Sequence, residues 1–369
     1  MICDEFYMRR ALEFAKKGEG KTSPNPPVGC VIVKNNKIIS EGYHKKAGLP
    51  HAEIEALKKT KDAGNSTMYV TLEPCDHYGK TPPCTNEIIK RGVKRVVIGM
   101  KDPHRVNNGR GIKKLKKNRI HVETGVCSRE IEEFYKPYKK FITERTPFVT
   151  VKIAESLDGK IATSKGESRW ISNDLSRRYV QKLRSKVDAV MIGINTVIKD
   201  GPSLIPKTQK REFTKRIVVD SHLRMPLDSK LVRSSDSAPL LIAAIDKASA
   251  KKINILRKKG ATVLIVRSKN NRVDLTCFFR ELGKLGIMHV LVEGGGELVG
   301  KLFDERLVNK ILFFISPKII GGESAVSSVR GKGVNRIRDA VRLKNMVLRR
   351  FREDILVEGD VCWNNRRSR

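Results

Sequence analysis

The chain has 369 residues, of which 39% are apolar and 31% charged, and its formal net charge is +35. One hydrophobic core rarely exceeds about 250–300 residues, so this length predicts two domains, and the apolar content argues against a disordered chain. No apolar run approaches the ~18 residues of a membrane span, and the acidic first residues argue against a secretory signal.

Helical and strand patterns alternate along the chain and restart after Arg145. In the first part, helices are predicted over 5–17, 52–61 and 85–91, and strands over 28–33, 67–72 and 93–100. In the second part, strands are predicted over 148–154, 190–194, 217–220, 240–245, 262–266 and 290–293, and two β segments over 343–361. The sequence therefore predicts an α/β fold with two domains, 1–145 and 146–369.

The positive charge is spread over the whole chain. Runs such as Lys113–Lys117 are typical of solvated helix faces, so we interpret the charge as a composition bias. The alternative is attraction of anionic small substrates or RNA through the summed field. The seven cysteines are odd in number and irregularly spaced, which favours a reducing, cytoplasmic environment over a disulfide framework.

His51, Cys75 and Cys84 form a candidate catalytic zinc site. Three nitrogen or sulfur ligands leave one corner of a tetrahedral zinc open for water, whereas structural sites normally close all four. In deaminases of bases and nucleosides, the Glu of an H-x-E motif does not bind the metal and instead transfers protons. Glu53 of His51-Ala52-Glu53 is the candidate for this role. We expect His51 to open a helix, and each cysteine to lie near a helix N-terminus that favours its thiolate. Two alternatives stay open: a closed site with His77 as the fourth ligand, or three unrelated buried residues.

Several motifs carry a resemblance to a known family. They are Pro24–Val33, Glu41–His44, His51-Ala52-Glu53, the eight intervening residues between Cys75 and Cys84, Ala154–Lys160, Gly166–Ser172, Asn195–Leu204 and Leu291–Leu298. With them the chain resembles, from end to end, the bifunctional deaminase-reductases of riboflavin biosynthesis. Residues two apart on a regular helix do not share a face, so this resemblance alone places Glu53 at the metal.

The resemblance implies a fold and two successive reactions. The amino-terminal domain would be an α/β/α layer similar to cytidine deaminases, using Zn²⁺ to hydrolyse the 2-amino group of a phosphoribosylated diaminopyrimidine. The carboxyl-terminal α/β domain would be similar to dihydrofolate reductase, using NADPH to reduce the ribosyl chain to ribityl. The expected partners are the phosphorylated pyrimidine, NADPH and a second copy of the chain in a homo-oligomer, without a membrane or nucleic acid.

The resemblance also assigns residues to these sites. It gives His51, Cys75 and Cys84 to zinc, Glu53 to proton transfer, and Asn25, His44, His77, Lys80 and Asp102 to the substrate pocket of the first domain. In the second domain it gives Ala154, Trp170, Thr196, Asp200, Ser221, Gly295 and Gly296 to NADPH, and Ser168, Arg184, Leu204, Lys207 and Glu293 to substrate. From the residues alone, Trp170 could equally be a core aromatic, and the glycines could form a plain tight turn.

The chain departs from the family pattern at a few positions. His104 stands where many relatives carry Asn two positions after the Asp, and Gly201 and Ile205 replace family residues. Lys207 keeps the charge of the usual Arg but not its two-pronged fork, a change that would weaken substrate binding.

Two other functions are compatible with parts of the sequence. A tRNA or nucleoside deaminase with an accessory domain would suit the basic charge, but that class typically separates its cysteines by two residues. A zinc-stabilised RNA-binding protein would instead hold a closed, four-ligand metal.

Overall fold

The computed structural model describes residues 3–79, 82–207 and 214–363. The chain divides into two compact units, Met1–Thr146 and Pro147–Arg369. Within the described ranges, no helix has the length and apolarity needed to span a membrane.

The first unit is built on a mixed sheet. Its elements in chain order are α1 (Asp4–Lys16), β1 (Gly29–Lys34), β2 (Lys37–Tyr43), α2 (Ala52–Leu57), β3 (Thr67–Leu72), α3 (Cys84–Lys90), β4 (Arg95–Met100), α4 (Arg110–Lys117), β5 (His121–Thr124) and α5 (Ser128–Glu144). The described strands form one five-stranded sheet of order β2-β1-β3-β4-β5. β1 is antiparallel to β2 and β3, while β3, β4 and β5 are parallel, so the carboxyl ends of these three strands share one edge.

Helices cover both faces of this sheet. Strand side chains alternate between faces, and one face packs on α2, α3 and α4 through residues that include Ala56, Ile88 and Leu115. On the other face, Tyr69 of β3 stacks against Tyr7 of α1 at 5.0 Å between ring centroids. α1 approaches β1 so closely that a Cβ on Gly29 would lie 2.0 Å from the carbonyl oxygen of Ala11. The unit is therefore a three-layer α/β/α sandwich.

The second unit is larger and carries a mostly parallel sheet. Its elements are β6 (Phe148–Ser156), β7 (Lys160–Ala162), α6 (Asp174–Arg184), β8 (Ala189–Gly193), α7 (Ile194–Asp200), β9 (Lys215–Val219), α8 (Lys230–Arg233), β10 (Leu240–Ala244), α9 (Ala250–Lys258), β11 (Thr262–Ile265), β12 (Ser268–Lys269), β13 (Arg272–Val273), α10 (Leu275–Lys284), β14 (His289–Val292), α11 (Gly296–Asp304), β15 (Lys310–Ser316), β16 (Val326–Ser327), a 3₁₀ turn (Ile337–Asp339), β17 (Arg342–Phe351) and β18 (Asp354–Cys362).

Nine of the described strands form the main sheet, in the order β11-β10-β9-β8-β14-β6-β15-β18-β17. The first seven in this order are parallel, and β18 and β17 add an antiparallel edge. Two apolar clusters cover its two faces, because alternate residues of one strand, such as Val190 and Met191, enter different clusters. Parallel strands buried on both faces read as continuous apolar runs, which is the pattern the sequence shows.

The structure corrects several predicted elements. The helix predicted over 52–61 ends at Leu57, and β2, β5, α5 and β15 were not predicted. The run Lys113–Lys117, interpreted as a solvated helix face, lies in α4, whereas α5 buries Ile131, Tyr135, Tyr138 and Phe141 at helical spacing, a pattern that the prediction overlooked. The predicted strands of the second unit lie within two residues of β6, β8, β9, β10, β11 and β14, and the two β segments at the end are β17 and β18.

Candidate metal and cofactor sites

The three predicted zinc ligands lie together in the first unit. His51 immediately precedes α2, Cys75 follows β3, and Cys84 is the first residue of α3. Their ligand atoms all lie within 4.8 Å of one another. Nδ1 of His51 is 3.5 Å from Sγ of Cys75 and 3.3 Å from Sγ of Cys84.

The chemistry of this donor set fits zinc. Two sulfurs and one imidazole nitrogen are the ligands that zinc prefers, and three protein ligands are typical of catalytic sites. Within the described ranges this is the group of His, Cys and acidic side chains that is close enough to hold a metal, and His77 is not part of it. The expectation that each cysteine lies near a helix N-terminus is confirmed. Cys84 is the first residue of α3, and Sγ of Cys75, in the loop after β3, accepts a hydrogen bond from the backbone amide of Cys84 at 3.3 Å.

The electrostatics of the cluster favour a thiolate. The hydrogen bond from Cys84, helped by the bond with His51, outweighs the effect of burial and lowers the pKa of the Cys75 thiol to about 4. The same interaction raises the pKa of Cys84 well above its ordinary value. The hydrogen bond with Cys75 raises the pKa of His51 to about 9. Because metal ligands must be deprotonated, a metal ion that binds here displaces protons from His51 and Cys84.

Glu53 is buried beside this cluster, with 3% of its surface exposed. His51 is the N-cap of α2 and has an extended backbone, with φ −71° and ψ 166°. The helical rule that residues two apart diverge therefore does not apply between His51 and Glu53. Burial raises the pKa of the Glu53 carboxyl, and the charge of His51 opposes this effect. The result is a carboxyl group that holds a proton more readily than an exposed one, as a group that accepts and releases a proton requires.

Two residues predicted to bind substrate, Asn25 and His44, contact each other. Nδ2 of Asn25 lies 3.2 Å from Nε2 of His44, and Nδ1 of His44 lies 3.0 Å from the carbonyl oxygen of Pro50. These partners fix a neutral ring that donates from Nδ1 and accepts at Nε2. Burial lowers the pKa of His44 and keeps it uncharged. Its ring meets that of His51 edge to face at 5.2 Å, which places both predicted residues at the metal cluster.

The other predicted substrate residues of this unit are placed differently. Asp102 is buried, and its carboxylate accepts hydrogen bonds from the His104 amide, the Tyr138 hydroxyl and the Asn107 side chain. The ring of His77 stacks on that of His104 at 6.4 Å. Lys80 lies outside the described residues.

Sequence reasoning missed the buried polar groups that hold this site. The carboxylate of Glu73 accepts hydrogen bonds from the backbone amides of Asp102, Gly109 and Ile112, at 3.1, 2.9 and 3.2 Å. Glu73 thereby fixes the loop after β4 and the start of α4 against the strand that leads to Cys75. Its position directly after a buried strand, two residues before a ligand, was the available signal.

The second unit has a cleft of about 590 Å³ at the carboxyl ends of β8, β9 and β14. Ligands of parallel α/β sheets bind at this edge. The cleft brings together six of the predicted residues: Ser168, Thr196, Asp200, Ser221, Gly295 and Gly296.

The lining of the cleft fits an anionic dinucleotide. Five basic side chains that the sequence analysis missed also line it: Lys199, Arg224, Arg272, Lys301 and Arg330. The cleft includes Gly295, the N-cap of the nine-residue helix α11, and Gly296, its first residue. Backbone amides at such a terminus bind phosphate. A Cβ on Gly296 would lie 2.3 Å from the carbonyl oxygen of Ser327, so this position requires glycine.

The remaining predicted residues of the second unit do not line this cleft. They are Ala154, Trp170, Arg184, Leu204, Lys207 and Glu293. Trp170 is 63% exposed, with the Arg177 guanidinium 4.5 Å from the centre of its ring, so it is not a core aromatic. Leu204 belongs to the buried core, and Lys207 is exposed.

Arg184 and Glu293 form a two-pronged ion pair. Nε and Nη2 of Arg184 donate to Oε1 and Oε2 of Glu293 at 2.6 and 2.9 Å. Lys152 of β6, which the sequence analysis missed, is close enough for its charge to lower the pKa of Glu293. Burial lowers the pKa of Lys152, and the charge of Glu293 opposes this effect.

Comparisons with known proteins agree with this architecture. The family model described as "RibD C-terminal domain" matches residues 147–357, and the one described as "Cytidine and deoxycytidylate deaminase zinc-binding region" matches residues 1–100. The riboflavin biosynthesis protein RibD of Actinobacillus pleuropneumoniae is 41% identical, over 97% of this chain and 95% of its own length. That of Aquifex aeolicus is 39% identical, over 96% and 97%.

Two solved structures are similar over nearly the whole chain. A structure of Acinetobacter baumannii RibD has a TM-score of 0.86 and 33% identity, covering 97% of this chain and 99% of that one. A diaminohydroxyphosphoribosylaminopyrimidine deaminase/5-amino-6-(5-phosphoribosylamino)uracil reductase from Thermotoga maritima has a TM-score of 0.84 and 34% identity, covering 97% and 98%.

These similarities confirm the predicted fold class, a cytidine-deaminase-like unit followed by a dihydrofolate-reductase-like unit. They also confirm zinc and NADPH as the cofactors. They do not support the alternative of a tRNA or nucleoside deaminase, because the matched relatives span both units. The chain belongs to the RibD family of bifunctional deaminase-reductases of riboflavin biosynthesis.

Proposed function

We propose that residues 1–145 deaminate a diaminopyrimidine ribotide and that residues 146–369 then reduce the ribosyl chain of the product with NADPH. The observation that carries the proposal is the cluster of His51, Cys75 and Cys84 with the buried carboxyl of Glu53 beside it. A metal site and a proton carrier are the two parts that hydrolysis of an aromatic amine requires.

In the first step, His51, Cys75 and Cys84 would hold the zinc, which would supply the Lewis acidity that makes a water nucleophilic near neutral pH. Glu53 accepts the proton of that water and passes it to the departing ammonia, so that the carboxylate ends as it began. Its burial excludes bulk water as a competing proton donor. The Asn25 amide and the His44 ring orient the base edge, and Lys80 supplies a point charge for the phosphate.

In the second step, the amides of Gly295 and Gly296 and the basic side chains of the cleft bind the phosphates of NADPH. Thr196, Asp200 and Ser221 line the same cleft and complete the cofactor site, and Ser168 donates to Asp200 at 3.2 Å. Arg184 and Glu293 hold each other in a two-pronged ion pair, and their role at the substrate is carried over from the resemblance. The roles of Ala154, Trp170, Leu204 and Lys207 are carried over from the resemblance.

We further propose a cytoplasmic homo-oligomer that does not bind nucleic acid. Irregularly spaced cysteines support a reducing compartment. The outermost strand of the large sheet, β17, exposes Met346, Val347 and Leu348, an apolar edge that a second copy of the chain would cover.

The test incubates the purified protein with the diaminopyrimidine ribotide, first alone and then with NADPH, and follows ammonia and the absorbance of NADPH. We expect ammonia without NADPH, and NADPH oxidation only after deamination. Glu53→Gln should retain zinc and lose ammonia release, yet oxidise NADPH when given the deaminated product. Glu55→Gln on the same helix is the matched control, because Glu55 pairs with Lys45 instead. Ammonia release by Glu53→Gln at the control rate would exclude Glu53 as the proton carrier.

A further inference from the structure

Asn107 lies in the loop between β4 and α4 and has no exposed surface. Its side-chain amide contacts both flanks of the predicted zinc ligand Cys75. Oδ1 accepts from the backbone amide of Asp76 at 3.0 Å, and Nδ2 lies 3.3 Å from the carbonyl oxygen of Pro74. The peptide groups immediately before and after Cys75 are therefore held by one side chain.

The same amide group reaches a second predicted site residue. Nδ2 of Asn107 also donates to Oδ2 of Asp102 at 3.2 Å and lies 3.4 Å from the carbonyl oxygen of Glu73. An amide is suited to this position, because it presents an acceptor on one side and donors on the other. A carboxylate could not donate to Pro74 and would place a negative charge against Asp102.

The surroundings leave Asn107 little freedom. Gly111 packs so closely on the loop that a Cβ there would lie 2.1 Å from the Pro74 carbonyl oxygen. Lys114 of α4 and Thr85 of α3 hold the Asp76 carboxylate at 2.6 and 2.8 Å. Within this loop, the fully buried amide is that of Asn107.

We infer that Asn107 is the positioning residue of the metal site: its amide fixes the peptide groups around Cys75, and hence the direction of the Cys75 sulfur, and ties them to Asp102. It touches neither the metal nor the reacting atoms. The inference rests on the proposed zinc site. Outer-shell partners of this kind typically change metal affinity by about 10–100-fold when they are removed.

The test compares Asn107→Asp with Asn108→Asp, its exposed neighbour, in the full-length protein. Zinc affinity is measured by competition with a chromophoric chelator, and the visible spectrum of the Co²⁺-substituted protein reports the geometry of the thiolate ligands. For Asn107→Asp we expect the zinc Kd to rise by about 10–100-fold and the Co²⁺ spectrum to shift, with both unchanged in the control. NADPH oxidation with the deaminated product should remain, since the second unit is untouched.

A second variant separates positioning from simple charge repulsion. Asn107→Asp combined with Asp102→Asn re-forms the amide–carboxylate hydrogen bond with donor and acceptor exchanged, but it does not restore a donor to Pro74. We expect it to recover thermal stability while zinc affinity stays low, and it provides the measurement if the single variant does not fold. A zinc Kd within twofold of the control in Asn107→Asp, or full recovery in the double variant, overturns the inference. Failure of the unmodified protein to bind zinc would refute the proposed function instead.

Discussion

The ion pair between Arg184 and Glu293 predicts a large and specific loss of stability when its carboxylate is neutralised. The side chains of Arg184 and Glu293 are only 16% and 10% exposed, and two parallel hydrogen bonds join them. Burial raises the pKa of Glu293, but the charge of Arg184, its hydrogen bonds and the charge of Lys152 together outweigh burial, so that the net pKa lies below the ordinary value. The variant Glu293→Gln keeps the shape of the side chain and leaves Arg184 and Lys152 without a counter-charge.

The expected loss of stability follows from the burial of the Arg184–Glu293 ion pair. Breaking a buried pair by removing one partner costs about 3–5 kcal/mol, because the remaining charge is desolvated and uncompensated. For a unit of about 150–250 residues, each kcal/mol lowers Tm by roughly 2–4 °C, so the expected loss is about 6–20 °C. Lys152 moderates the loss at higher pH, since burial already lowers its pKa and its deprotonation relieves the repulsion.

The assay measures the Tm of Glu293→Gln by calorimetry during thermal unfolding. Glu281→Gln is the control. Glu281 pairs with Lys284 on the surface, where such pairs contribute about 0–1 kcal/mol. Because the pKa of Glu293 is depressed, its stabilisation is present above about pH 4.3 and is lost as the pH falls. The wild type and the Glu281→Gln control should therefore show this acid sensitivity, and Glu293→Gln should not. A Tm loss no larger than that of the control would refute the reasoning.

Three further predictions concern the two sites. Chelation of zinc should abolish ammonia release but spare NADPH oxidation of the deaminated product, and added Zn²⁺ should restore release; loss of both activities would contradict separate sites. Lys80→Ala should raise KM for the phosphorylated substrate far more than for its dephosphorylated form, whereas equal increases would argue against a phosphate contact. Gly296→Ala should lower both Tm and NADPH affinity, measured by cofactor fluorescence, because its Cβ would meet the Ser327 carbonyl at 2.3 Å. Gly295→Ala, whose nearest neighbour would be 3.7 Å away, should keep its Tm; equal losses in the two variants would exclude a steric cause.

The sequence predicted best where a single physical requirement dominates a segment. The parallel strands are buried on both faces, so their continuous apolar runs identified β3, β8 and β10 closely. The run Lys113–Lys117 was interpreted as a solvated helix face and lies in α4, but Gly111 and Leu115 are the buried residues among five Lys and Arg, so the pattern did not show where this helix begins. The sequence placed both cysteines near a helix N-terminus, and only the structure shows that they share the one that begins α3.

By itself, the sequence predicted the three-ligand metal cluster, because ligand type and spacing carry this information locally, while the family resemblance placed the Glu53 carboxyl beside the cluster and gave the order of the two units. Only the tertiary structure decided how these parts are held. Asn107 and Glu73 act through contacts with residues far along the chain, and Arg184 and Glu293 are 109 positions apart. Such buried polar contacts leave no periodic pattern in the sequence. Each contact forms only because the folded sheet brings distant loops together at one edge.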